Sequence, residues 1–194
     1  MFSAFLDTCV LVPSHLRDVL LETAASGVYR AVWSDRILDE LACTTRSLRT
    51  ARGDSDATID AYVSRLILQM GQAFPDAVVT NWRPLEETIQ LPDADDRHVL
   101  AAAIIGRADV IVTDNLPHFP PEALPRPLVA QSADEFLLAA IDLHPESVLD
   151  AIRAVASRTG RFGIARTPRD IAAILQRGPA PQFATAALGL LDET

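Results

Sequence analysis

Four short apolar stretches of this chain close on an acid or carry one: FSAFL ends at Asp7, WSDRILDEL carries Glu40, LPDADDRHVL carries Asp96, and VIVT ends at Asp114 and Asn115. Strands buried on both faces read as short apolar runs, and ligands of such sheets bind just beyond the strands' carboxyl ends. Asp7 and Asp114 are therefore expected where sites form. Carboxylates gathered from distant segments repel one another across a few ångströms unless a cation or bound protons neutralise them. Oxygen-only ligation suits a hard cation, so Mg²⁺ or Mn²⁺ is the expected occupant.

Between these acids the chain alternates strand and helix signals. Residues 2–6 read as a strand, residues 12–25 as an amphipathic helix stopped by Gly27, and residues 28–33 as a second strand. Ser34 is placed to cap a helix carrying Ile37, Leu38, Leu41 and Leu48, with Glu40 in its second turn. Ile59, Tyr62, Val63, Leu66, Ile67 and Met70 recur at helical spacing and predict a third helix ending near Gly71. Residues 77–80 read as a brief strand, and a connector from Pro84 to Pro92 delivers Asp93, Asp95 and Asp96 to a helix running to Gly106. Val110, Ile111 and Val112 give the clearest β signal, and residues 127–130 a last strand. This order predicts an α/β fold with a central parallel sheet in a three-layer helix-sheet-helix arrangement.

After residue 130 strand signals cease. Ser132 and Glu135 form a capping box, Pro145 and Thr167-Pro168 mark helix starts, and Gly160, Gly163 and Gly178 mark breaks. We expect a sheet domain over residues 1–130 and a small helical extension over residues 131–194 packed on it.

The formal net charge of −9 argues against a protein that coats nucleic acid nonspecifically, since that binding needs broad basic surfaces. All 17 basic residues are arginine. Two groups are candidates for phosphate contact: Arg46, Arg49 and Arg52 after Glu40, and Arg153, Arg158, Arg161, Arg166 and Arg169 in a stretch without acids. The competing reading makes them salt-bridge partners or a solvated face. Cys9 and Cys43 exclude a disulfide framework and are expected as buried small hydrophobes in a reducing compartment. No run approaches the roughly 18 apolar residues of a membrane span, and the N-terminal segment lacks a basic region, so a cytoplasmic protein is expected. His15, His98, His118 and His144 show no ligand spacing and are expected in structural or surface roles. Thr113 is placed either to hydrogen-bond a carboxylate or phosphate or to cap a turn. No GxGxxG follows the first strand, no GK[ST] exists, and Cys9 stands where a dehalogenase-type phosphatase needs its second Asp.

FLDTCVLV, the acid in ILDEL, DADDRHVLAAAI and VIVTDNLPHF, in this order over residues 2–130, resemble the successive motifs of PIN-domain ribonucleases, most closely bacterial VapC-type toxins. Residues 131–194 resemble the helical extension of one branch of those toxins. The resemblance implies that Asp7, Glu40 and Asp96 are the metal-binding acids and that Asn115 holds the fourth position, where Asp is frequent, with Asp114 or Asp93 compensating. Cys9 replaces an Asn common in the first motif. It implies a Mg²⁺- or Mn²⁺-dependent endoribonuclease. Bound metal would neutralise the phosphodiester and lower the pKa of a water, whose in-line attack leaves a 5′-phosphate and a 3′-hydroxyl. Asp7 and Asp96 would be the principal ligands, and Glu40 would complete their shell or help deprotonate the water. Also implied are an RNA substrate, a cognate antitoxin that occludes the acidic groove, a homodimer, and antitoxin contact near Arg46–Arg52. A second class of function is a PIN-fold RNA-binding or protein-interaction module whose nuclease activity Asn115 and Cys9 have weakened.

Overall fold

Short β-rich segments and capped helices alternate as the sequence requires. The computed structural model describes residues 2–160 and 164–192. In chain order the elements are β1 (Ser3–Leu6), α1 (Thr8–Leu11), α2 (Ser14–Ala25), β2 (Arg30–Ser34), α3 (Asp35–Ala51), α4 (Asp56–Ala73) and β3 (Val78–Val79). There follow α5 (Arg83–Glu86), α6 (Arg97–Ile105), β4 (Val110–Val112), β5 (Val129–Gln131), α7 (Ala133–Leu143), α8 (Pro145–Arg158), α9 (Pro168–Gln176) and α10 (Pro181–Asp192). Single 3-10 turns lie at Leu116–His118 and Pro121–Ala123. The chain divides into two compact units, one of Phe2–Val12 with Ala31–Ala130, the other of Pro13–Arg30 with Gln131–Thr194.

The first unit holds a five-stranded parallel sheet in the order β3-β2-β1-β4-β5, flanked by helices, the α/β class that the alternation predicts. β1 lies at its centre, and Ala4, Phe5 and Leu6 pair with Val110, Ile111 and Val112 of β4. Because β2 and β4 lie on opposite sides of β1, the chain reverses its winding there, and the crevice beyond the carboxyl ends of β1 and β4 is a topological switch point. Phe5, Leu6, Val32, Trp33, Ile111 and Val112 are fully buried, as apolar runs in a covered sheet should be. In α6, Ala101, Ala102 and Ala103 are also fully buried; their small side chains let the helix approach closely. Gly106 ends that helix, and a Cβ there would lie 2.7 Å from Val79 Cγ2, so no larger residue fits without displacement.

Boundaries differ from expectation where local chemistry was misread. The helix expected over residues 12–25 begins at Ser14, and a separate turn, α1, is capped by Asp7, whose side chain accepts from the Thr8 amide. α4 ends at Ala73, two residues past Gly71, near which its stop was expected. The connector from Pro84 folds in part into α5. Leu48, expected in the α3 core face, is 43% exposed. The caps at Ser34, Ser132 and Thr167 are present, the last two as full capping boxes.

The second unit is helical. α2 packs on α8 and α9, α7 on α8 and α10, and α9 on α10. Pro13–Arg30 thus belongs with the C-terminal helices, because Leu16, Val19 and Leu20 of α2 bury completely among them. Asp134, 7% exposed, accepts from the backbone amides of Gln182 and Phe183 and so fastens α7 to the start of α10. Tyr29 packs edge-on against Phe136 at 4.9 Å and donates its hydroxyl to the Leu20 carbonyl. Gly163, expected as a helix break, lies outside the described residues. Among the described residues no helix is long and apolar enough to cross a membrane.

Candidate active site

Asp7 leaves the centre of the sheet at the switch point and is 5% exposed. Its Oδ1 accepts from the Thr8 amide at 2.6 Å, and its Oδ2 accepts from the Thr113 hydroxyl at 2.7 Å and the Cys9 thiol at 3.1 Å. Burial pushes the carboxyl above its ordinary value, these three donors pull it back down, and the Asp96 charge adds to the rise. Asp96 is therefore an electrostatic neighbour of Asp7. Cys9 is half-buried rather than fully buried, and that partial burial, with the Asp7 charge, pushes its thiol up to about 12. It acts as a neutral linker, donating to Asp7 and accepting the Asp114 amide at 3.3 Å. Cys43 is exposed, contrary to the buried role expected, on an outward turn of α3.

Thr8 links Asp7 to Glu40. While its amide holds Asp7, its hydroxyl donates to Glu40 Oε2 at 2.7 Å. Glu40 Oε1 accepts from Arg36 Nε and from His98 Nε2, each at 3.1 Å. Burial alone would raise the Glu40 carboxyl, but the bonds from His98, Thr8 and Arg36 outweigh it and hold it at about 2. Arg36 also reaches Glu86 at 3.0 Å, and Asp35 accepts from Trp82 Nε1 and Arg83, so α3 and α5 are tied together beside Glu40.

Asp96 precedes α6 but does not cap it; its Oδ2 meets His118 Nδ1 at 2.6 Å instead. Asp93 Oδ2 lies 3.7 Å from the same nitrogen. Among the described residues, Asp93, Asp96 and His118 form the one group of three candidate ligands whose donor atoms all lie within 4.8 Å of one another. The structure therefore arranges the expected acids in two linked sets: Asp7 with Glu40 through Thr8, and Asp96 with Asp93 through His118. Thr113 is fully buried on Asp7 and accepts the Asn115 amide at 3.1 Å, whereas Asp114 and Asn115 are exposed. The donors are carboxylate oxygens with one imidazole nitrogen, and Asp7 is held against its own charge by burial; this chemistry fits a divalent cation.

Most of the arginines singled out are engaged within the protein. Arg46 pairs with Asp60, Arg49 pairs with Asp54 at 2.9 Å and covers the Tyr62 ring, and Arg158 pairs with Glu22 at 2.5 Å. Arg153 pairs with Asp150, and Arg169 with Asp192. Arg52 is exposed at the end of α3, and Arg166 donates its amide to Thr159. Arg161 lies outside the described residues.

Sequence reading missed four side chains at the site: Thr8, Arg36, His98 and His118. The histidines were set aside for want of ligand spacing, yet His98 stands two residues after Asp96 and His118 three after Asn115, both inside the acid-bearing segments. That proximity was the available signal.

Residues 3–116 match the PIN domain model, and residues 133–189 match the VapC50 C-terminal domain model. A segment of 53 residues is 57% identical to "Putative ribonuclease VapC50" of Mycobacterium tuberculosis (strain ATCC 25618 / H37Rv), covering 27% of this chain and 31% of that protein. The matched stretch is thus under a third of the relative's length. No solved structure matches this chain. Because the PIN domain model matches more than half of this chain, the chain belongs to the PIN domain family.

Proposed function

We propose that the protein is a divalent-metal-dependent endoribonuclease and the toxin of a type II toxin-antitoxin pair. The observation that carries this reading is the burial of Asp7 beside Asp96: three donors favour the charged carboxylate while a second acid opposes it. Two such anions coexist readily when a cation lies beside them. The PIN match and the likeness to a relative named as a ribonuclease support RNA as substrate.

Asp7 and Asp96 are the residues we assign to Mg²⁺ or Mn²⁺, with Glu40, Asp93, Asp114 and Asn115 around them. When bound, the ion supplies neutralisation of the phosphodiester charge and a water of lowered pKa. The chain's own residues supply position. Thr8, Thr113 and Cys9 fix Asp7, and Thr8, His98 and Arg36 fix Glu40. Held at about 2, Glu40 stays anionic and is a weak base near neutrality, which favours an orienting role over deprotonating water. His118 Nδ1, 2.6 Å from Asp96 Oδ2, helps to orient that carboxylate.

The reading extends to partners and place. An acidic crevice fits an antitoxin that presents a basic side chain, and a homodimer and a cytoplasmic location accompany it. Transfer RNA and a ribosomal RNA loop are both substrates of the right class, read by groove shape and a few arginines. Incubating antitoxin-free protein with total cellular RNA, with Mn²⁺ or with EDTA, tests it: discrete fragments that form only with the metal are expected, and intact RNA in both contradicts the reading.

A further inference from the structure

At the start of α6 two side chains, two residues apart, turn to different partners. Asp96 turns to His118, and His98 Nε2 meets Glu40 Oε1 at 3.1 Å. His98 is 2% exposed, and its Nδ1 is buried with no hydrogen-bond partner among the described residues. A histidine kept for packing alone would pair both nitrogens or give way to an apolar side chain, because an unpaired buried nitrogen opposes folding. The imidazole therefore answers to Glu40, the acid it contacts. With Nδ1 unpaired, the proton belongs on Nε2, which donates to the carboxylate.

Glu40 is in turn continuous with Asp7. Oε2 takes the Thr8 hydroxyl, and the Thr8 amide holds Asp7 Oδ1, so His98, Glu40, Thr8 and Asp7 form one unbroken string. Arg36 reaches Oε1 as well, but its side chain is 37% exposed and is shared with Glu86, so its pull on Glu40 is screened by solvent. His98 is the more deeply buried of the two contacts.

We propose that His98 is a positioning residue of the acidic centre: through Glu40 and Thr8 it sets the orientation of the carboxylates that face a divalent cation, touching neither cation nor RNA. The role assigned to those acids rests on the nuclease reading above; the string of bonds does not.

Variants of the full chain separate this from a packing role. His98→Gln keeps an N–H donor near the Nε2 position, and His98→Leu fills the space without one; if His98→Leu does not fold, His98→Met takes its place. Mn²⁺ affinity is read by titration calorimetry, and RNA cleavage as kcat and KM. Removing a group that orients a metal ligand typically weakens metal binding roughly tenfold to a hundredfold. We expect that loss in His98→Leu with KM for RNA unchanged, recovery in His98→Gln, and no further loss when His98→Leu is added to Glu40→Gln. Equal affinity in wild type and His98→Leu, additive losses in the double variant, or a wild type that binds no Mn²⁺ overturns the proposal. A wild type that binds Mn²⁺ but cleaves no RNA removes the nuclease reading, and the affinity comparison still decides the part played by His98.

Discussion

Thr113 and Asp7 meet across the seam between β1 and β4: the threonine hydroxyl donates to Asp7 Oδ2 at 2.7 Å, joining residues 106 positions apart in sequence. Thr113 is fully buried, so its loss exposes no new surface to water. Thr113→Val keeps the shape and removes the donor. Leaving a buried acceptor short of a partner costs about 1–3 kcal/mol, and the urea midpoint should fall accordingly with an unchanged slope. An unchanged midpoint would show that this bond contributes nothing to folding.

Burial raises the Asp7 carboxyl above its ordinary 3.8, so over the interval from 3.8 upward the folded chain binds a proton that the unfolded chain has lost. Stability from this group is present below 3.8 and declines as pH rises through the raised value. In EDTA at neutral pH, Asp7→Asn should therefore be more stable than wild type, and Mn²⁺ should narrow the gap by stabilising only the wild type. Thermal melts with and without metal check both. A variant less stable than wild type in EDTA contradicts the sign.

Glu40 behaves in the opposite sense. Its carboxyl, ordinarily near 4.5, is held at about 2, so its contribution is present above pH 4.5 and is lost as pH falls toward 2. Glu40→Gln should flatten the acid limb of a stability-against-pH curve in that window. A variant whose acid limb matches wild type would mean that His98, Thr8 and Arg36 do not favour the charged form.

Among the arginines, Arg46 is already paired with Asp60, whereas Arg52 is exposed and makes no ion pair among the described residues. If Arg52 meets RNA phosphate, Arg52→Ala should reduce the slope of log affinity against log salt by about one, with Arg46→Ala leaving it nearer to wild type. Equal slopes in wild type and both variants would locate the RNA elsewhere.

The β signal of Val110–Val112, the cap at Ser34 and the capping box at Ser132 were legible because each is a local pattern with a local cause. So was the position of Asp7, since a strand buried on both faces must deliver its next residue to the crevice. Asp93, Asp96 and His118 as a set were not legible, because Asp96 abandons the capping role its position suggests and turns to a residue 22 positions away. The contacts of His98 and His118 were not legible for the same reason: ligand-spacing rules see one segment at a time, while these two side chains reach across segments. The grouping of α2 with the C-terminal helices depends on long-range burial of Leu16, Val19 and Leu20, which periodicity reveals but does not assign to a partner.

The most direct test sets wild type, Asp7→Asn and Asp96→Asn side by side on one RNA substrate in Mn²⁺, each confirmed as folded. The account predicts cleavage by the wild type alone, abolished by EDTA and restored by excess metal. Cleavage by both variants at the wild-type rate would contradict it, as would a folded, antitoxin-free wild type that leaves every RNA intact while still binding it, which is the behaviour of an interaction module.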